Sequence, residues 1–129
     1  MNRFSVVMAA AAVSFVALQG TASADTGCSP TLGQHVFATK CAMCHAVDKS
    51  QGTIVGPNLA GVFERPIGKL PGFTYSQALA TSTGKWDAKE LDLFLKAPAV
   101  AKPGTAMPFT GIRNDAERAS TICYLKEVH

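Results

Sequence analysis

The sequence predicts a small all-α fold of three to five helices joined by long loops. Two segments open on capping boxes and continue with apolar residues at helical spacing. A third carries an apolar stripe at spacings of four and one. No segment sustains the period-two alternation of a half-buried strand, so no real sheet is expected.

Residues 1–24 read MNRFSVVMAAAAVSFVALQGTASA. Basic Arg3 precedes an apolar run from Phe4 to Leu18, and Ala22-Ser23-Ala24 fits a small-residue cleavage site. This reads as a cleaved secretory signal peptide. The run is too short for the ~20 residues that span a bilayer, so no stable membrane insertion is expected. Export implies an oxidising compartment and a periplasmic location. Asp25–His129 then forms a single domain with a modest core. The formal charge of +3 falls to +2 when Arg3 leaves, and the charges are interspersed, which argues against a nucleic-acid partner.

The first helix is expected over Thr31–Cys44, with Leu32, Val36 and Phe37 as its stripe and Gly33 leaving room for a close crossing. Val47–Pro71 holds four glycines and three prolines and reads as loop. Trp86–Leu95 reads as a helix capped by Asp87 with Glu90, its apolar face Leu91, Phe94 and Leu95. Ala97-Pro98 ends it. The last helix is expected over Asn114–Val128, capped by Asn114 with Glu117, with Ile122, Leu125 and Val128 on its apolar edge.

The motif CAMCH, Cys41 to His45, carries the chemistry. Zinc would need a second ligand pair, yet Cys28 and Cys123 are isolated, and His35 and His129 stand at opposite ends. A thioredoxin-type pair should follow a strand, and here a helix precedes it. The histidine directly after the second cysteine makes C-x-x-C-H, the attachment motif of c-type haem. On a helical turn, positions i, i+3 and i+4 share one face, so Cys41, Cys44 and His45 address one flat object together. Two thiols add to the haem vinyl groups, and the imidazole coordinates the iron. Met107, in PGTAMPF, is the candidate sixth ligand. Met1 and Met8 leave with the leader, and Met43 is too near His45 to reach the far face of the iron. His35 is the rival, and it falls on the helix of the cysteines.

These segments together resemble class I cytochrome c of the mitochondrial and bacterial type. GQHVFATKCAMCH, GPNLAGVFERPIG, PGFTYS, Trp86, PGTAMPFTGI and ERASTICYLKE follow in the family order, across essentially the whole of 25–129. The resemblance implies the cytochrome c fold around one covalently bound haem, with the N- and C-terminal helices crossing. It implies His45 and Met107 as axial ligands and Cys41 and Cys44 as thioether cysteines. Pro57 matches the proline whose carbonyl accepts the histidine Nδ1–H. Arg65, Tyr75 and Trp86 match donors to the haem propionates, Thr105 a residue near the methionine ligand, and Phe109 the aromatic shielding the haem edge.

The chain also departs from the family. Phe94 and Leu79 stand where a tyrosine and an asparagine are common, which implies a different buried water network and potential. His35, Ile54, Ala99 and Ala106 occupy positions where lysines are frequent, while Lys40, Arg113 and Lys102 keep the family's charge. Electrostatic steering scales with such charge, so weaker salt dependence is expected. If the terminal helices cross as in the family, Cys28 and Cys123 come within reach of a disulfide, closing a loop of about 95 residues worth up to ~4.7 kcal/mol. The alternative is two free thiols.

The function implied is one-electron transfer by a monomer, with no catalytic residues. Its partners would be redox proteins: a membrane cytochrome complex, an oxidase or a periplasmic dehydrogenase. Two alternatives remain: a small peroxidase-like haem enzyme with a labile sixth position, and a dedicated electron-transfer subunit of one dehydrogenase.

Overall fold

The computed structural model describes residues 27–129, so the signal peptide and the cleavage after Ala24 lie outside the described residues. Five helices follow in order: α1 (Pro30–Lys40), α2 (Gln77–Ala80), α3 (Ala88–Lys96), α4 (Pro98–Ala101) and α5 (Asp115–Glu127). A single 3₁₀ turn, Lys49–Gln51, interrupts the first long loop. Among the described residues there is no strand, only one isolated bridge between Pro66 and Lys85. The all-α expectation holds.

Side-chain oxygens start the three longer helices. The Ser29 hydroxyl accepts from the Leu32 amide at 3.3 Å, with Pro30 following in the first turn where no amide is needed. Asp87 Oδ1 accepts from Glu90 N at 2.8 Å, and Asn114 Oδ1 from Glu117 N at 2.9 Å. Both capping boxes thus form at their donor ends.

Three sequence expectations need correction. Helix α1 stops at Lys40, not Cys44. The Cys41 and Ala42 amides both take the Phe37 carbonyl, at 2.8 and 2.9 Å, and the chain turns off the helix axis. Leu32 sits on the exposed side, and Gly33, Val36 and Phe37 form the buried face instead. Helices α2 and α4, four residues each, were not expected, because neither is long enough to show a period.

The core forms where α1 crosses α5. A Cβ built on Gly33 would lie 2.0 Å from the Ser120 carbonyl oxygen, so only a glycine permits this approach. Small polar residues complete the contact. Ser120 and Thr121 are buried, and the Ser120 hydroxyl joins Ser29 N and Gly27 O at 3.2 Å each. Phe37 packs on Tyr124 with ring centroids 5.6 Å apart. Phe37, Ile122 and Leu125 belong to one apolar cluster with Leu91, Phe94 and Leu95 of α3. Burying each such side chain contributes about 1.5–3 kcal/mol. Cys28 and Cys123 are disulfide-bonded, with Cα atoms 5.8 Å apart, so the ends of the fold are covalently tied beside the crossing.

Replacing Gly33 with valine is expected to lower the unfolding free energy by about 3 kcal/mol or more, because the obstructing atoms are backbone. Urea denaturation of the two proteins measures it, and a loss below about 1 kcal/mol would contradict the contact.

Candidate functional site

The turn after α1 arranges the motif. The Cys44 and His45 amides both donate to the Cys41 carbonyl, each at 2.9 Å, so the i+3 and i+4 relation survives although the helix has ended. The Gly56 amide then bonds the Cys44 carbonyl at 2.8 Å and brings the following loop back over the histidine. His45 Nδ1 donates to the Pro57 carbonyl at 2.8 Å, which leaves Nε2 with its lone pair free. A Cβ on Gly56 would sit 2.4 Å from the imidazole Cε1, so the loop approaches the ring as closely as a glycine allows. Burial pushes the His45 imidazole below its ordinary value, with the Pro57 bond opposing. Burial thus favours the neutral ring, the form that ligates a metal.

Asn58 fixes this loop. Its amide donates to the Asp48 and Gly52 carbonyls at 2.7 and 2.9 Å, and its Oδ1 accepts from Ala60 N at 2.8 Å. Sequence reading did not single it out, though it is 8% exposed. Its signal was present in an asparagine within a glycine-rich loop, where side chains replace backbone ladders.

A cavity of about 400 Å³ opens from this turn into the core. Cys41, Cys44, His45, Pro57, Arg65, Tyr75, Trp86, Thr105, Met107 and Phe109 all line it, and the rival ligand His35 does not. Its remaining walls are largely apolar and include Phe37, Val62, Leu79, Leu91, Phe94, Leu95 and Leu125. Phe94 packs on Trp86 at 5.0 Å. Cys41 and Cys44 are free thiols. Burial pushes the Cys41 thiol up to about 11, with the Lys40 charge opposing.

One side of the cavity is polar. Arg65 donates to the Asn58 carbonyl at 3.0 Å and reaches the Ala60 carbonyl at 3.4 Å. Burial holds its guanidinium below the usual value, while the same desolvation raises the Tyr75 phenol. The Trp86 amide bonds the Arg65 carbonyl at 2.9 Å, and the Glu64 amide bonds the Trp86 carbonyl at 2.9 Å. Ser76 was quoted in the motif PGFTYS but given no role. Its Oγ is the one buried side-chain polar atom without a partner among the described residues, and Ser76 lines the cavity. An orphaned hydroxyl in the cavity that Arg65 and Tyr75 also line calls for a hydrogen-bond partner there. An apolar slot with two thiols and a neutral imidazole at one side and donors at another fits a haem with its carboxylates. Among the described residues no group of three or more His, Cys, Asp or Glu is placed to hold a bare metal ion.

The cytochrome c family model matches residues 30–129. The chain belongs to the cytochrome c family. It is 45% identical over 95 residues to the cytochrome c of Sesamum indicum, covering 74% of this chain and 86% of that one. To the cytochrome c of Ginkgo biloba it is 40% identical over 98 residues, covering 76% and 87%. To that of Chlamydomonas reinhardtii it is 41% identical over 95 residues, covering 74% and 85%. Members of the family are electron carriers rather than enzymes, and they hold c-type haem covalently through cysteines.

The comparison corrects one expectation. The matched cytochromes c come from plants and algae, eukaryotes with proteins of the mitochondrial type, so the periplasmic location is overturned. The physical reason is that a basic residue and an apolar run report an apolar segment, and say nothing of the membrane it meets.

Gly56→Ala is expected to displace the imidazole and cut the yield of low-spin holoprotein severely. Absorbance per polypeptide checks it, and wild-type yield would contradict the contact.

Proposed function

We propose that this cytochrome c carries one electron at a time on a haem with His45 and Met107 as axial ligands, moving it between a membrane cytochrome complex and an oxidase. The observation that supports this most directly is the convergence of Cys41, Cys44, His45 and Met107 on one apolar cavity. When bound, the haem supplies a single centre that gains and loses an electron with no atom transferred. The chain's residues then have separate tasks. Cys41 and Cys44 fasten it. His45 presents Nε2 while Pro57 holds the ring by Nδ1. Met107 offers a thioether from a proline-flanked loop, its amide donating to Thr105 Oγ1 at 3.3 Å. Arg65, Tyr75, Trp86 and Ser76 receive the carboxylates, and Phe109 shields the edge. The apolar walls exclude water, which keeps reorganisation small when the charge changes. Gly27–His129 closes on itself as one fold, which supports a single working domain there.

Partner docking follows from the charges that remain free. Lys40 is paired with Glu117 at 3.1 Å and Lys102 with Glu90 at 3.2 Å. Ile54 is exposed, as are Ala99 and Ala106. No described helix is long and apolar enough to cross a membrane.

Two outcomes are expected. Met107→Ala should lose the weak long-wavelength sulfur-to-iron band of the ferric spectrum and bind cyanide at once. Retention of the band in this variant would remove Met107 as ligand. The rate of oxidation by a membrane oxidase should fall less steeply with added salt than that of a lysine-rich relative, measured side by side. An equal or steeper fall would contradict the neutralised rim.

A further inference from the structure

Met107 lies in a strap whose backbone–backbone hydrogen bonds fall at its two ends. At one end the Thr105 amide bonds the Lys102 carbonyl at 3.0 Å. At the other the Ile112 amide bonds the Leu95 carbonyl at 2.7 Å. Between them, none of the amides from Ala106 to Gly111 makes a backbone–backbone hydrogen bond among the described residues. Gly111 has φ +110°, and a Cβ there would lie 2.1 Å from the Lys96 carbonyl oxygen, so the strap is pressed against the end of α3 as it leaves.

Arg118 closes that second end. Its side chain is 5% exposed. Nη1 donates to the Ile112 carbonyl at 2.9 Å and lies 3.5 Å from the Arg113 carbonyl. Nε donates to Asp92 Oδ1 of α3 at 2.6 Å, and Nη2 to Asp115 Oδ1 of α5 at 2.6 Å. One guanidinium thus joins α3, α5 and the strap. A lysine has one point of charge and cannot repeat the fork. A buried Ile112 carbonyl deprived of its donor favours an open strap, where water satisfies it.

We propose that Arg118 is a positioning residue that sets how readily Met107 leaves its place in the cavity. Arg118 does not line the cavity, so it acts through Ile112 and the strap. The proposal rests on the reading of Met107 as sixth ligand.

The test uses the holoprotein. Added imidazole displaces the thioether, and loss of the sulfur-to-iron band reports the rate at saturating imidazole, where strap opening is limiting. Arg118→Lys should raise that rate by about tenfold or more while the band persists without imidazole. Asp92→Ala, which removes a partly exposed carboxylate from the clamp, should move it the same way by less and guards against a misfolded Arg118 variant. Hydrogen exchange at the Ile112 amide should quicken in both. The Cys28→Ser/Cys123→Ser double variant weakens the fold at the crossing of α1 and α5 without touching any Arg118 partner, and should leave the rate within about twofold of wild type. Unchanged rates in Arg118→Lys and Asp92→Ala overturn the proposal. So does an equal rise in the disulfide variant, which would make the effect one of global stability. A wild-type protein without the band fails earlier, at the ligand assignment, and takes this proposal with it.

Discussion

Helix α5 is the beam from which both sides of the cavity hang. On one side its Ser120 backbone meets Gly33 of α1, and α1 delivers the chain directly into the turn of Cys41, Cys44 and His45. On the other side Arg118, two residues earlier, grips α3 and the end of the Met107 strap. His45 and the Met107 strap are therefore both positioned from a single turn of one helix. A shift of α1 along α5 would move the histidine side without moving the methionine side. The bare contact at Gly33 forbids that shift, because backbone meets backbone with nothing to slide.

What could be read from the sequence was mostly local. CAMCH announces itself because three residues at fixed spacing perform one task. The capping residues Asp87 and Asn114 lie beside the amides they serve, so the starts of α3 and α5 were accessible. Gly33 was legible as a close-approach residue. The end of α1 was not, because the turn at Cys41 keeps the helical i+3 and i+4 relation while leaving the helix axis. Arg118 carries no local sign of its role. Its burial depends on Asp92, 26 residues away, and on a strap whose path no local pattern encodes. The ion pairs of Lys40 and Lys102 are hidden for the same reason. The proposed site residues emerged as a set through the ordered family resemblance, since a lone Trp86 or Arg65 carries no sign of its neighbours. The leader misled about location because its composition answers a different question.

Polar atoms in this fold are kept where they tie loops. Asn58, Arg65 and Arg118 each give donors to backbone carbonyls of irregular segments, Arg118 giving Nη1 there and its other nitrogens to Asp92 and Asp115. That substitutes for sheet ladders, which are absent among the described residues. The apolar lining of the cavity is then left to residues such as Leu79, Leu91, Phe94 and Leu125.

The Cys28–Cys123 bond joins residues 95 apart, so nearly all of the described chain lies inside one covalent ring. The pairing of α1 with α5 is the most distant in sequence of the helix contacts, and in an open chain it would bear the largest loop-closure entropy. Once the ring is closed, that search is over before collapse begins. The oxidised chain then folds as though its topology were local, with the two crossing helices already neighbours in the denatured ensemble.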